Sequence, residues 1–319
     1  MSNIDEIKSI LPIKIRSVIE LKNVYEIRLR TDRPVITYSQ DGEKVYTAYI
    51  MDNRDIRQCL EYISNYSVYA YQDNIRQGFI TIRGGHRVGV CGHVISENGH
   101  IKSQQYISFI NIRIAHEING CADSVMDFIT SSVKSVHNKD ASDVKNNYVT
   151  ATELIEKIGH TLIISSPGCG KTTLLRDIVR QLADGNAYRQ GVRVSLIDER
   201  GELAACYQGA PQNNIGMRTD VIDGCSKYDG MLLMIRSMNP QIVAVDEIGE
   251  RQDIEALEYI INSGCKVLAT MHAASLSEAM EKPYINKLIN KSMFSRIIIL
   301  GSDGTRGNIK ELINLNEGD

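Results

Sequence analysis

The spacing of apolar residues changes character about halfway along the chain. Near the start, Ile4, Ile7, Leu11, Ile15 and Val18 recur at helical intervals and predict an amphipathic first helix. The stretch "VYEIRLRTDRPVITYSQDGEKVYTAYI" then alternates apolar and polar positions on either side of Asp41-Gly42, the pattern of a β-hairpin. Residues 51–66 read as a helix, and "GFITIRGGHRVGVCGHVISENGHIK" returns to short strands broken by glycines. These elements predict a smaller N-terminal α+β domain with mostly antiparallel pairing, spanning residues 1–133. The segment 134–150 is polar and aperiodic and is expected to be a linker or mobile loop.

From residue 151 to 319 the pattern becomes strand, turn and helix in succession. "VRVSLID", "QIVAVDEIG", "KVLATMHA" and "FSRIIILG" read as short, nearly all-apolar strands of a sheet covered on both faces. Asp253 to Ser263 reads as a helix stopped by Gly264, and Ser275-Leu-Ser-Glu278 as a capping box opening another. Alternation of this kind predicts an α/β domain with a central, mostly parallel sheet and ligands at the carboxyl ends of its strands.

One strand-to-helix turn carries a chemical signature. In "LIISSPGCGKTTLLRD", the run Leu162-Ile163-Ile164 precedes the turn, and Leu174, Leu175, Ile178, Val179 and Leu182 form one helical stripe after it. Between them lies a loop of Pro167, Gly168, Cys169 and Gly170, whose glycines can turn its backbone N–H groups inward, while the following helix presents its positive end to the same point. Lys171 would reach the β- and γ-phosphates of a nucleotide, and Thr172, followed by Thr173, would coordinate Mg²⁺. The match to G-x-x-x-x-G-K-[ST] departs at its first position, where Ser165 replaces glycine. A small residue can occupy that turn, so the reading of nucleotide binding, with ATP and Mg²⁺ as the expected cofactors, stands.

Other strand ends add polar groups suited to phosphate chemistry. Asp246 can hold the Mg²⁺ shell, and Glu247 beside it can orient the water that attacks a γ-phosphate. Acidic pairs also commonly open turns; the phosphate loop upstream favours the chemical reading. Asp198, Glu199 and Glu202 crowd another strand end, where like charges repel unless a cation or a bound nucleotide–metal complex shares the site; the plainer alternative is a solvated acidic turn. His272 ends a third strand, placed to sense a γ-phosphate or the attacking water, with a packed structural histidine as the equal alternative. Arg236 lies on the helix leading into the Asp246 strand. It either faces a neighbouring subunit's nucleotide, stabilising transition-state charge, or is a surface arginine.

Composition narrows the classes of function. With 43% hydrophobic and 24% charged residues among 319, the chain has the profile of a soluble globular protein. A net charge of -3 lacks the basic footprint of a general nucleic-acid binder. The seven cysteines are scattered without a C-x-x-C pair, which fits free thiols in a reducing cytoplasm. No run approaches the roughly 18 apolar residues of a membrane span.

Taken together, "LIDERGEL", "IRSMNPQIVAVDEIG" and "LATMHA" resemble the acidic box, the arginine-to-glutamate segment and the histidine box of the hexameric ATPases of type II and type IV secretion machines, within the RecA-like P-loop class. Longer strings, "SSPGCGKTTLLRDIVRQLADG" and "IDERGELAACYQGAPQNNIGMRTDVIDGC" with "VYEIRLRTDRPV", "GGHRVGVCGHV" and "INIRIAHEING" in the N-terminal part, look like the stage III sporulation AA family of endospore-forming bacteria. That resemblance implies a cytoplasmic ATPase of the mother cell, assembled as a homo-oligomeric, hexameric ring. It would dock on a membrane protein encoded in the same operon and power a secretion-like channel into the forespore. It also makes Arg87 and Arg113 candidates for reaching the γ-phosphate from the N-terminal domain, against the plainer reading of solvent-facing strand arginines. Two other classes stay open: a nucleic-acid-associated P-loop ATPase, and a non-catalytic nucleotide switch serving as a scaffold.

Overall fold

A computed structural model describes residues 3–67, 71–130, 148–290, 293–301 and 307–315. The expected linker falls largely on 131–147, outside the described residues. The chain forms two compact units, one comprising Met1–Glu117 with Ala205–Asn213, the other Ile118–Ala204 with Asn214–Asp319.

The first unit is built on a six-stranded antiparallel sheet. Its strands are β1 (Val24–Arg30), β2 (Pro34–Ser39), β3 (Gly42–Ile50), β4 (Phe79–Thr81), β5 (Arg87–Glu97) and β6 (His100–Arg113), in the order β3-β2-β1-β6-β5-β4. One face is apolar: Ile27, Leu29, Val35, Val88, Val90, Ile110 and Ile112 pack with Ile7, Ile56, Cys59, Ile63 and Ile75 from the helices Asn3–Ile10, Asn53–Ile63 and Gln72–Gln77. Alternate residues, among them Arg28, Arg30, Arg87 and Arg113, belong to the other face, as the two-residue period of a strand requires. The first helix is shorter than its stripe predicts. It ends at Ile10, and Ile13–Ile15 follows as a separate 3-10 turn, because Pro12 cannot continue the ladder.

The second unit holds the strands β7 (Thr161–Ser165), β8 (Gly185–Asn186), β9 (Arg189–Gln190), β10 (Val194–Asp198), β11 (Thr219–Asp223), β12 (Ile242–Val245), β13 (Lys266–His272), β14 (Arg296–Leu300) and β15 (Ile309–Asn314). Seven form one sheet in the order β11-β10-β12-β13-β7-β14-β15, parallel throughout except for β15 on the edge; β8 and β9 pair separately. Every residue of β7, β10, β12 and β14 is buried, the expected consequence of helices covering both faces. The predicted stripe of the helix Lys171–Asp184 is buried in full, from Leu174 to Leu182. Each such side chain contributes about 1.5–3 kcal/mol by leaving water. β11, β15 and the β8–β9 hairpin are additions the apolar pattern did not signal: β11 (TDVID) and β15 (IKELIN) lie on sheet edges and have few fully buried positions.

One backbone contact in the first unit is unusually close. Gly92 sits at a register shift in β5, and a Cβ there would lie 2.4 Å from the Gln105 carbonyl oxygen and 2.8 Å from the backbone of Ile107. Gly92→Ala is expected to destabilise the chain by about 1–3 kcal/mol, the usual cost of overpacking. Gly249→Ala, where a Cβ meets nothing within 4 Å, should change stability by about 0.5 kcal/mol or less. Urea midpoints of the two variants check the contrast.

Candidate functional site

The carboxyl ends of β7, β12 and β13 converge in the second unit. β7 delivers the chain to Ser165, after which Gly168 and Gly170 adopt φ of +79° and +97°. A Cβ at Gly168 would meet open space, so the loop uses glycine there for its left-handed conformation and not for room. The helix then starts at Lys171 with Gly170 as its N-cap and no side chain capping it. Its first backbone N–H groups are thus left for a ligand or for water.

Lys171 is the first residue of that helix, and its side chain is 7% exposed. Its Nζ lies 3.3 Å from Glu247 Oε1 and 2.9 Å from His272 Nε2, and the same His272 nitrogen is 2.6 Å from Glu247 Oε1. The other carboxylate oxygen of Glu247, Oε2, is taken by the guanidinium of Arg200. Burial pushes the Glu247 carboxyl up, but the hydrogen bond from His272 and the charges of Lys171 and Arg200 together outweigh it and hold the group below the usual glutamate range. His272 Nδ1 is buried without a hydrogen-bond partner.

Thr172 and Asp246 also meet. The Thr172 hydroxyl donates to Asp246 Oδ2 at 2.7 Å, and the Thr270 hydroxyl donates to Oδ1. A hydroxyl and a carboxylate are hard oxygen ligands that suit Mg²⁺. Among the described residues, no group of three or more His, Cys, Asp or Glu could hold a metal ion by itself. An ion between Thr172 and Asp246 would therefore complete its shell with phosphate oxygens and water, which is how Mg²⁺ is commonly held.

The backbone of Glu247 is left-handed, with φ +53°, a conformation that costs a non-glycine residue about 1–3 kcal/mol unless its surroundings impose it. They do so from both sides. Glu247 N–H donates to the Thr270 hydroxyl at 2.9 Å, and Ile248 N–H to the Thr270 carbonyl at 2.8 Å. The Glu247 carbonyl accepts from Lys227 Nζ at 3.1 Å. Lys227 also lies 3.3 Å from Glu199 and 3.6 Å from Asp253, whose Oδ2 accepts the N–H groups of Gly249 and Glu250, each at 3.0 Å.

The acidic turn after β10 is resolved differently from the expectation of carboxylates sharing a cation. Asp198, 2% exposed, turns back on its own chain and accepts from the N–H groups of Glu202, Leu203 and Ala204. Glu199 turns to Lys227. Glu202 is tied through its backbone, its carbonyl accepting from Arg176 Nη2 at 2.6 Å. Backbone amides and one lysine thus relieve the repulsion that the sequence implies. Arg236 lies on the exposed side of the helix Lys227–Met238. Arg87 and Arg113 are directly cross-strand on β5 and β6 of the first unit, with the Arg87 guanidinium 3.7 Å from the centre of the Phe79 ring.

Four residues at the site escaped the sequence reading: Thr270, Lys227, Asp253 and Arg200. Thr270 sits inside an apolar strand and Lys227 in an ordinary helix start, so neither carries a local signal. Arg200, between Glu199 and Gly201, carries no local signal beyond being one cation in an acidic turn.

The family described as "Sporulation stage III, protein AA" matches residues 1–318. Stage III sporulation protein AA of Bacillus subtilis (strain 168) is 34% identical over 314 residues, covering 97% of this chain and 94% of that protein. Among solved structures, the pilus retraction motor PilT with bound ADP superposes with a TM-score of 0.56 at 13% identity, covering 95% of this chain and 81% of PilT. The Legionella pneumophila ATPase DotB gives 0.52 at 16% identity, covering 87% and 72%. At such identities the likeness shows a shared fold alone. Among the described residues, no helix is long and apolar enough to cross a membrane.

The depressed Glu247 carboxyl links the site to stability. A group whose folded pKa lies below its unfolded value stabilises the fold above the unfolded pKa, and the contribution is lost as pH falls through the folded pKa. The stability difference between the native chain and Glu247→Gln should therefore be constant at neutral pH and shrink as pH falls below 4.5. Urea unfolding of both chains across pH 7 to 3.5 checks this; parallel curves throughout would disprove the pairing.

Proposed function

The chain belongs to the sporulation stage III, protein AA family, and from that premise we propose that it is the ATP-hydrolysing motor of a secretion-like channel between mother cell and forespore during endospore formation. The reading rests on one observation above the others: a single cluster around the buried Lys171 brings Lys171, Glu247 and His272 together next to the Thr172–Asp246 pair. These are a phosphate-binding cation, a water-orienting carboxylate and a pair of metal-holding oxygens, the parts that phosphoryl transfer to water requires.

In this reading Pro167 opens the loop, the N–H groups of Gly168 to Thr173 and the Lys171 ammonium bind the phosphates, and Thr172 with Asp246 would hold Mg²⁺. When bound, that ion would neutralise charge on the β- and γ-phosphate oxygens. Glu247 orients a water toward the γ-phosphorus; as the new P–O bond forms, the bond to ADP breaks and the water proton passes to Glu247 or to a phosphate oxygen. His272, within 2.6 Å of Glu247, fixes the carboxylate's direction. Glu202 completes the polar surroundings. Arg236, Arg87 and Arg113 are the candidates for neutralising transition-state charge, supplied from a neighbouring subunit or from the N-terminal unit. The motor would work as a hexameric ring in the mother-cell cytoplasm, peripheral to the membrane through a membrane protein of the same operon.

Glu247→Gln should lower kcat by about 10²–10⁴ while leaving nucleotide binding intact, the loss typical of a missing general base. Lys171→Ala should abolish measurable binding of MgATP. Phosphate release by the full chain, measured against protein concentration alongside mass from light scattering, should rise with assembly. Hydrolysis at the native rate in Glu247→Gln would instead mark the chain as a nucleotide switch without catalysis, and a fully active monomer would exclude shared sites.

A further inference from the structure

Both oxygens of Glu247 are already occupied. Oε1 faces Lys171 and His272, and Oε2 is taken by Arg200. Three of the carboxylate's roughly four acceptor sites are thus taken by two cations and a ring nitrogen, and Arg200 crowds the oxygen that keeps the fourth. In this arrangement Glu247 is held out of use. Release needs something that competes for the cations, and the cations differ in their freedom to move. Lys171 is buried, whereas the Arg200 side chain is 59% exposed.

Arg200 also sits on a fixed root. Asp198 pins the turn through the N–H groups of Glu202, Leu203 and Ala204, and Arg176 grips the carbonyls of Glu202 and Leu203 from the phosphate-loop helix. Gly201, at φ +64°, lets the turn reverse next to Arg200, and a Cβ there would meet open space. The backbone is thus anchored to the helix that carries Lys171 and Thr172, while the guanidinium is free to swing on a long stem.

We infer that Arg200 is the positioning residue through which the site senses a γ-phosphate: without one it holds Glu247 Oε2, and with one it transfers to the terminal phosphate oxygens and frees Oε2 to orient water. The inference rests on the proposed ATP site. The exchange is chemically balanced, since the guanidinium leaves a carboxylate oxygen for a phosphate oxyanion of higher charge. It also supplies a reason for an exposed arginine to reach a largely buried carboxylate at all, because an ordinary surface ion pair contributes little and would not need this anchored turn. ADP, lacking the terminal phosphate, would leave the clasp closed.

The test uses the full chain with MgCl₂ and two probes, ADP and the non-hydrolysable analogue adenylyl imidodiphosphate, with calorimetric affinities. Arg200→Ala should weaken the analogue about tenfold or more and change ADP by about twofold or less, and kcat for ATP should fall by about 10²-fold or more. Arg200→Lys, which keeps the charge but not the fork, should recover part of the discrimination. Glu247→Gln should bind the analogue more tightly by freeing both cations. Adding Arg200→Ala to it should then cost a different factor than it costs in the native chain, the non-additivity expected of residues in direct contact. Equal losses for ADP and analogue, or no change in either, would overturn the inference, and so would strict additivity. A native chain that binds both probes without hydrolysing ATP would sink the motor reading while still leaving Arg200 to be judged on analogue against ADP. One that binds neither would sink both.

Discussion

Everything at the strand ends depends on how two adjacent carboxylates, Asp246 and Glu247, are kept apart in charge and direction. Side by side at the end of a buried strand they would repel, and in a low-dielectric interior that repulsion is expensive. The fold treats them differently. Asp246 receives two neutral hydroxyls, from Thr172 and Thr270, while Glu247 receives Lys171, His272 and Arg200. One carboxylate meets neutral donors, and the other has its charge compensated. The left-handed turn at Glu247 makes the division possible, because it sends consecutive side chains in directions that a regular strand end would not allow.

That turn is imposed by parts of the fold remote from it in sequence. Thr270 on β13 receives the Glu247 N–H through its hydroxyl and the Ile248 N–H through its carbonyl, and a slip of one residue in the β12–β13 register would turn the Thr270 side chain to the other face of the sheet. Lys227 and Asp253 secure the far side of the turn from two different helices. The parallel sheet supplies the rigidity for this: β7, β12 and β13 are packed on both faces, so their ends hold loop residues at fixed separation. The antiparallel first unit has one apolar face, which its helices cover, and alternate strand positions carry arginines on the opposite face.

The sequence made the parallel unit legible because its signals are local and strong. A run such as Leu162-Ile163-Ile164 followed by glycines and an amphipathic helix has few other solutions, and the pairing of Thr172 with Asp246 follows from two strands ending at the same edge. The edge strands β11 and β15 were illegible, since partly exposed strands lack a sustained apolar pattern. The acidic turn was half legible: three carboxylates were visible, but not that Asp198 would spend its charge on backbone amides. Satisfaction of a charge by N–H groups leaves no trace in residue identity. The same limit hid Thr270 and Lys227, whose importance lies in what they touch across the fold.

The charge arrangement also constrains how such a site can bind an anion. Lys171 is nearly buried and already engaged with Glu247 and His272, so a phosphate cannot use it without weakening those contacts. Leaving a buried charge without its partner costs about 3–5 kcal/mol, so an anion gains from Lys171 only if Glu247 is compensated by another route. His272 can supply part of that compensation, since its Nε2 already lies against Oε1. Its Nδ1, buried and without a partner, leaves the ring one hydrogen bond short of the number that would lock its tautomer. An anion that drew on Lys171 would therefore also have to reorganise the Glu247 carboxylate, and the coupling follows from setting a buried lysine, a glutamate and a histidine within contact of one another.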